Sequence, residues 1–390
     1  MNNPLKRLLP RSIRCLLLLL PAILLLAAGC GKDPGPVPGA VGGEMPIAGF
    51  YVLNEGDMTT LSSTLDYYDY ATGIYYKNLP LHYSGEAMMG LGEGGNDLQS
   101  YGSRLYAVLG GSGRVDVLDL ETARHVGTVR IPKGRYIVFQ DRYAYVSSYG
   151  ESEPMGDNNP RGYVAKIDTA SLQIVATCEV GYQPEEMVIT GGKLYVANSG
   201  IHQVPDYDHT VSVIDLASFQ VSHSIDVALN LHRMELDAYG NIWVSSRGDA
   251  YDVPSMVFVI DPESDCVTEC LDLLPCSDMT VCGDSLYVVN NTWNAFRQAF
   301  DVGYALVDLK TRRIVSRELV KDGTASAMIK NPAGIAVNPR TRDFFVADAC
   351  IDEPRGRIYY YSAEGRLQWR SETGPGSARI VFTHRPLALP

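Results

Sequence analysis

The chain has 390 residues, 46% of them hydrophobic and 20% charged, which is enough apolar material for one large core or two ordinary ones and excludes a disordered protein. Acidic residues outnumber basic ones by 45 to 33, and removing the first 29 residues takes away four basic residues and no acidic one, leaving a net charge of −16. That balance excludes a nucleic-acid binder, whose affinity needs a cationic footprint.

Residues 1–29 are set apart from the fold. Lys6, Arg7, Arg11 and Arg14 precede an apolar run from Leu16 to Leu26, the pattern of a secretory signal peptide and short for a membrane span. The run ends in Leu26-Ala27-Ala28-Gly29-Cys30, which resembles the lipobox of bacterial lipoproteins. The resemblance implies that Cys30 is lipidated and becomes the mature N-terminus. Residues 30–45 contain "GKDPGPVPGAVGG", with five glycines and three prolines and no apolar periodicity, so they form a flexible tether.

Beyond the tether one aromatic phrase recurs seven times: "FYVLNEG" (50–56), "LYAVLGG" (105–111), "AYVSSYG" (144–150), "LYVANSG" (194–200), "IWVSSRG" (242–248), "LYVVNNT" (286–292) and "FFVADAC" (344–350). A second phrase, a β-rich run closing on Asp with Ser or Thr three residues on, recurs out of step with it. Its pairs are Asp69 and Thr72, Asp119 and Thr122, Asp168 and Ser171, Asp215 and Ser218, Asp261 and Ser264, and Asp308 and Thr311; Ser362 stands in the seventh position. A carboxylate ending a strand accepts N–H bonds from the following turn, so this phrase marks a hairpin rather than a catalytic group. A short strand ("RYIVF", "EEMVI", "HRMEL", "SDMTV", "AGIAV") precedes the aromatic phrase, and a last strand follows the aspartate phrase.

Four strands per unit of about 45 residues, without helical periodicity between them, predict a β-propeller blade. The fold class expected is all-β: a seven-bladed β-propeller with four-stranded blades over residues 46–388. The first aromatic phrase lacks an inner strand, and "SARIVFT" (377–383) is a strand with no aromatic phrase after it. The C-terminal strand therefore closes the ring by pairing into the first blade.

"YVAN" at 195–198, followed by "TVSVIDLASFQV" at 210–221, resembles the YVTN-type propeller repeat. Together with the lipobox, "GYQPEEMVITGGKLYVANSG" and "GNIWVSSRG", the chain resembles the propeller lipoproteins of Bacteroidetes. That resemblance implies a lipid-anchored outer-membrane protein, on the cell surface or facing the periplasm. It would capture cobalamin (vitamin B12) or another corrinoid and hand it to a TonB-dependent transporter.

In such a blade the loop after the aromatic strand and the link to the next blade emerge on one face. There the connections are long: 147–162, 198–210, 245–256, 290–303 and 347–356. Long loops gathered on a rigid scaffold are where binding is expected. Tyr149, His202, Tyr207, Asp208, Arg247, Tyr251, Trp293 and Arg297 lie in them, and Arg135, Tyr136, Tyr182, His232 and Arg233 come from the inter-blade links. Flat rings beside polar groups suit a large, amide-fringed ligand, and equally a glycan or a peptide. Replacing Trp293 or Arg247 by Ala is expected to weaken capture and leave stability unchanged.

A protein- or glycan-interaction scaffold is the alternative; a propeller lyase or lactonase ranks below it. Its candidate groups, Glu55, Asp57, His202, Asp208, His232 and Asp348, are joined by no short motif. The expectation is a binding protein, not an enzyme, with no cofactor of its own. Cys266, Cys270, Cys276 and Cys282 lack zinc-ligand spacing. With Cys178 and Cys350 they are expected to be ordinary buried thiols, with room for one disulfide.

Overall fold

The structure is a computed structural model that describes residues 46–56, 62–79, 91–151, 160–351 and 353–388. The signal segment, Cys30, the tether and Asp57 lie outside the described residues.

Among the described residues, twenty-eight strands form seven four-stranded antiparallel sheets. The first blade runs outward from β28 (Ser377–Thr383) through β1 (Gly49–Asn54) and β2 (Thr64–Asp69) to β3 (Ile74–Tyr76). Blade two is β4 (Gly95–Tyr101), β5 (Arg104–Leu109), β6 (Arg114–Asp119) and β7 (His125–Arg130). Blade three is β8 (Gly134–Gln140), β9 (Tyr143–Ser148), β10 (Tyr163–Asp168) and β11 (Gln173–Glu179). Blade four is β12 (Pro184–Thr190), β13 (Lys193–Asn198), β14 (Thr210–Asp215) and β15 (Gln220–Asp226). Blade five is β16 (Leu231–Leu236), β17 (Ile242–Ser246), β18 (Met256–Asp261) and β19 (Cys266–Leu271). Blade six is β20 (Asp278–Cys282), β21 (Ser285–Asn294), β22 (Ala299–Asp308) and β23 (Arg313–Ser316). Blade seven is β24 (Pro332–Val337), β25 (Phe344–Asp348), β26 (Arg357–Tyr361) and β27 (Leu367–Glu372). A short helix, α1 (Thr324–Met328), lies in the link between the last two blades. The C-terminal strand pairs with β1 from Gly49↔Thr383 to Asn54↔Ser377, closing the ring as expected.

The aromatic phrase recurs because the second strand of each blade is buried on both faces. On β1, Tyr51 and Leu53 pack towards blade two while Phe50 and Val52 pack against Phe345 and Ile358 of blade seven. Alternate side chains thus serve two interfaces, and the strand is a continuous apolar run. Tyr51, Tyr195, Trp243 and Phe345 are fully buried, each removing enough apolar area to contribute about 2–3 kcal/mol. Their polar atoms still find partners: the Tyr51 hydroxyl donates to Leu120 O (2.7 Å) and the Trp243 indole N–H to Asp237 Oδ2 (2.8 Å).

The aspartate phrase is turn chemistry in all six copies. Ser or Thr donates to Asp at 2.9, 2.7, 3.3, 2.8, 2.7 and 2.7 Å from Thr72 to Thr311. The next residue adopts positive φ in every copy: Gly73, Ala123, Leu172, Phe219, Asp265 and Arg312. Only the first is glycine, so the carboxylate clamp holds five L-residues in the left-handed region.

Two expectations are corrected. Segment 290–303 is not a loop: β21 and β22 pair from Ser285↔Asp308 to Asn294↔Ala299, extending blade six into a projecting hairpin. The thiols are not uniformly buried, since Cys266 and Cys270 are exposed on β19, the outermost strand of blade five, most of whose residues meet solvent; all six cysteines of the propeller are unpaired.

Candidate functional site

The channel is built by a repeated defect in the inner strands. Six of the seven carry a register shift at their start, as where Pro184 pairs with Asn198 but Met187 with Val196. A bulge of this kind turns two successive side chains towards the axis. The pairs are Asn96-Asp97, Arg135-Tyr136, Glu185-Glu186 and His232-Arg233; blade seven has only Ala333 ahead of Gly334, and blade one contributes Arg379. Carboxylates catch the amides of the following bulge: Ile137 N donates to Asp97 (3.0 Å), Met234 N to Glu186 (2.9 Å) and Ile335 N to Asp278 (2.9 Å).

The lower members of these pairs, together with His232, plug the channel. Arg379 reaches across from blade one to Glu186 of blade four (2.6 Å) and pairs with Asp97 (3.3 Å). Arg233 pairs with Asp278 (2.8 Å) and donates to the Tyr136 hydroxyl (2.8 Å), which also bonds His232 Nε2 (3.0 Å). Guanidiniums of Arg233 and Arg379 each sit 5.2 Å from the Tyr136 ring centroid. Burial, then the surrounding guanidiniums, hold His232 well below its ordinary pKa, so the imidazole is neutral. Tyr136, His232 and Arg233 are thus interior groups that close the channel.

The upper members Asn96, Arg135 and Glu185 form a floor beneath the long loops. Glu185 is fully buried; its carboxylate accepts from Arg135 (3.1 Å), Arg247 (3.1 Å) and the Tyr149 hydroxyl (2.6 Å). Burial opposes ionisation, but the two guanidiniums and the hydroxyl outweigh it and hold the carboxyl at about 2. Arg135 also donates to Asn96 (2.5 Å), its guanidinium lies 5.0 Å from the Tyr149 ring centroid, and His202 packs edge-on against Tyr149 at 5.5 Å.

Further out the same face carries exposed rings. Tyr251 is 65% exposed, Trp293 39% and Phe296 74%. Trp293 packs against its cross-strand partner Phe300 at 5.1 Å, and Ala295 N donates to Ala250 O, tying the hairpin tip to the Tyr251 loop. Arg297 is paired with Asp301 at the tip. Tyr182, Tyr207 and Asp208 lie apart from the floor, lining a cavity of about 320 Å³ on the rim with Arg161. Asp208 there accepts from Tyr182 N (2.8 Å) and Thr210 N (3.0 Å), and Asp348 of blade seven accepts from Asn331 N (3.0 Å) and Cys350 N (3.1 Å). Both carboxylates hold loops. Among the described residues no group of three or more His, Cys, Asp or Glu is placed to hold a metal ion.

The structure therefore brings Arg135, Tyr149, His202 and Arg247 to one floor, and Tyr251, Trp293 and Arg297 to one crest. Sequence reasoning missed Asn96, Asp97, Glu185, Glu186, Asp278 and Arg379. Their signal was the polar pair ahead of an apolar residue in "GNDL", "PEEM" and "CSDM", and a lone Arg in the same place in "SARI".

No family model matches the chain, and no curated protein does. Solved structures match by fold. The chain is similar to a hydrazine synthase from Kuenenia stuttgartiensis at 18% identity and TM-score 0.56, over 76% of this chain and 91% of that one. It is similar to a quinonprotein alcohol dehydrogenase-like protein from Bacteroides thetaiotaomicron at 14% identity and TM-score 0.56, over 86% and 78% of the two chains. A functionally unknown protein from Desulfotomaculum acetoxidans gives 11% identity and TM-score 0.61 over 86% and 99%. At these identities the likeness is one of fold: the chain is a seven-bladed propeller of the broad architecture these proteins share.

Proposed function

We propose that the chain is an envelope lipoprotein, anchored at Cys30, that captures a ligand on the long-loop face for a TonB-dependent outer-membrane transporter, binding rather than transforming it. A corrinoid is the first ligand. The observation that carries this reading is the crest of exposed rings, Tyr251, Trp293 and Phe296, beside a fixed polar floor. Single exposed apolar residues are ordinary, but rings gathered on one face mark an interaction site. A flat macrocycle fringed with amides stacks on such rings, and its amides find donors in Arg135 and Arg247.

Calorimetric titration of residues 46–390 with cyanocobalamin tests this. Saturable one-to-one binding, weakened at least about tenfold by Trp293→Ala, is the expected result. No heat from a folded domain would reject the corrinoid and direct the search to glycans and protein partners, for which the same crest is suited.

A further inference from the structure

The rim cavity of about 320 Å³ is walled by a loop that the chain fastens at several points. Loop 199–209 is tied to the link before β12 by Gly200 N to Tyr182 O (2.9 Å), Ser199 N to Gln183 O (3.1 Å) and Tyr182 N to Asp208 Oδ2 (2.8 Å), and to the link before β16 by Asn230 N to Asp208 O (2.9 Å). Gly181 permits the approach, since a Cβ there would lie 2.4 Å from Asn198 Cγ and 2.5 Å from Asp208 Oδ2. The Asp208 carboxylate is used up by Tyr182 N, Thr210 N (3.0 Å) and the Thr210 hydroxyl (2.7 Å). Its neighbours are not: no described residue hydrogen-bonds the Gln203 amide, the Asp206 carboxylate or the Tyr207 hydroxyl, and all three residues line the cavity with Tyr182 and Arg161. Arg161 lies over the Tyr182 ring at 5.2 Å, donates to Val180 O (3.3 Å) and stays half exposed.

These groups differ in kind. The carboxylate only accepts, the guanidinium only donates, and the amide and the phenol do both. An anion would be repelled by Asp206 and Asp208, and a cation would be repelled by Arg161. An apolar body would strip water from every one of these groups and give no partner in return. A hydroxyl donates and accepts at once, so a polyol satisfies all of them, and the C–H face of a sugar ring packs on an aromatic side chain. We propose that this rim cavity binds one neutral pyranose unit of a saccharide, its hydroxyls shared among Asp206, Gln203 and Arg161 and its C–H face against Tyr207. The volume is at the small end of ligand pockets, enough for a single sugar ring and too small for a macrocycle. Because Asp208 and the backbone bonds already hold the loop, little ordering is left to do when a sugar enters. This site is separate from the capture proposed for the aromatic crest and stands or falls without it.

The test is calorimetric titration of the full chain, in mild detergent, with the methyl glycosides of glucose, galactose, mannose and N-acetylglucosamine, and with tetrahydropyran-2-methanol as a ring stripped of its hydroxyls. The expected result is saturable one-to-one binding of at least one glycoside and no binding of the tetrahydropyran. Tyr207→Ala should weaken that binding by at least about tenfold, and Asp206→Ala and Gln203→Ala by at least about fivefold each. These side chains hold no part of the fold, so thermal unfolding of the three variants should match the wild type. Failure of every glycoside to bind, equal binding of the tetrahydropyran, or undiminished binding in both Tyr207→Ala and Asp206→Ala would overturn the proposal.

Discussion

At the residue scale, two kinds of position decide how the chain tolerates change. Hairpin turns between the first and second strands need positive φ, supplied by Gly102 in blade two, Gly191 in blade four, Gly283 in blade six and Asp141 in blade three. Nothing lies within 4 Å of a Cβ added at Gly102, so Gly102→Ala should cost only the backbone term, about 1 kcal/mol, in urea unfolding. Channel carboxyls respond to pH in opposite senses. Glu185 is held at about 2 in the fold and titrates near 4.3 when unfolded. Its contribution is present above the unfolded value and lost as pH falls from there towards 2. Glu185→Gln should flatten the acid limb of a urea-midpoint profile. Glu235 is raised, so its effect runs the other way: stability is lost as pH rises above the unfolded value, and Glu235→Gln should raise the urea midpoint at neutral pH. Midpoints unchanged by these substitutions would contradict the assignments. The structure also separates two residues expected to behave alike. Arg247 is a partner of buried Glu185, so Arg247→Ala should lower stability by about 1–3 kcal/mol, whereas Trp293→Ala at the hairpin tip should stay within about 0.5 kcal/mol.

At the element scale, the inner strands combine a bulge, a captured amide and an ion pair in a few residues. Asp278→Ala would strand the Ile335 amide and the Arg233 guanidinium together. Breaking a buried pair from one side costs about 3–5 kcal/mol, and thermal unfolding should show that loss. The blade pattern was legible in the sequence because each element answers to a local rule: period two in the strands, a carboxylate clamp after the third strand, a buried ring on the second. The channel was not, because which residues meet on the axis depends on pairing across 193 residues between Arg379 and Glu186 and on bulges that shift the inward face by one residue. Arg135 and Arg247 could be named from their places in links and loops, but their common partner Glu185 could not. Segment 290–303 was misjudged because Asn290, Asn291 and Asn294 carry turn-forming character, which the cross-strand pairing of Trp293 with Phe300 overrides.

At the scale of the whole molecule, closure and facing organise everything else. Ending the chain after Gly376 removes β28 and with it Arg379, leaving β1 unpaired on its inner edge and the plug without its cross-channel cation. Such a protein should lack cooperative thermal unfolding, and a sharp transition near the wild-type temperature would contradict the role given to the closing strand. The central claim is that the face with the aromatic crest is the capturing surface. Hydrogen–deuterium exchange of the propeller with and without cyanocobalamin tests it most directly. Protection confined to loops 199–209 and 247–255 and to the β21–β22 tip is the predicted result; no protection, or protection centred on the opposite face, would contradict it.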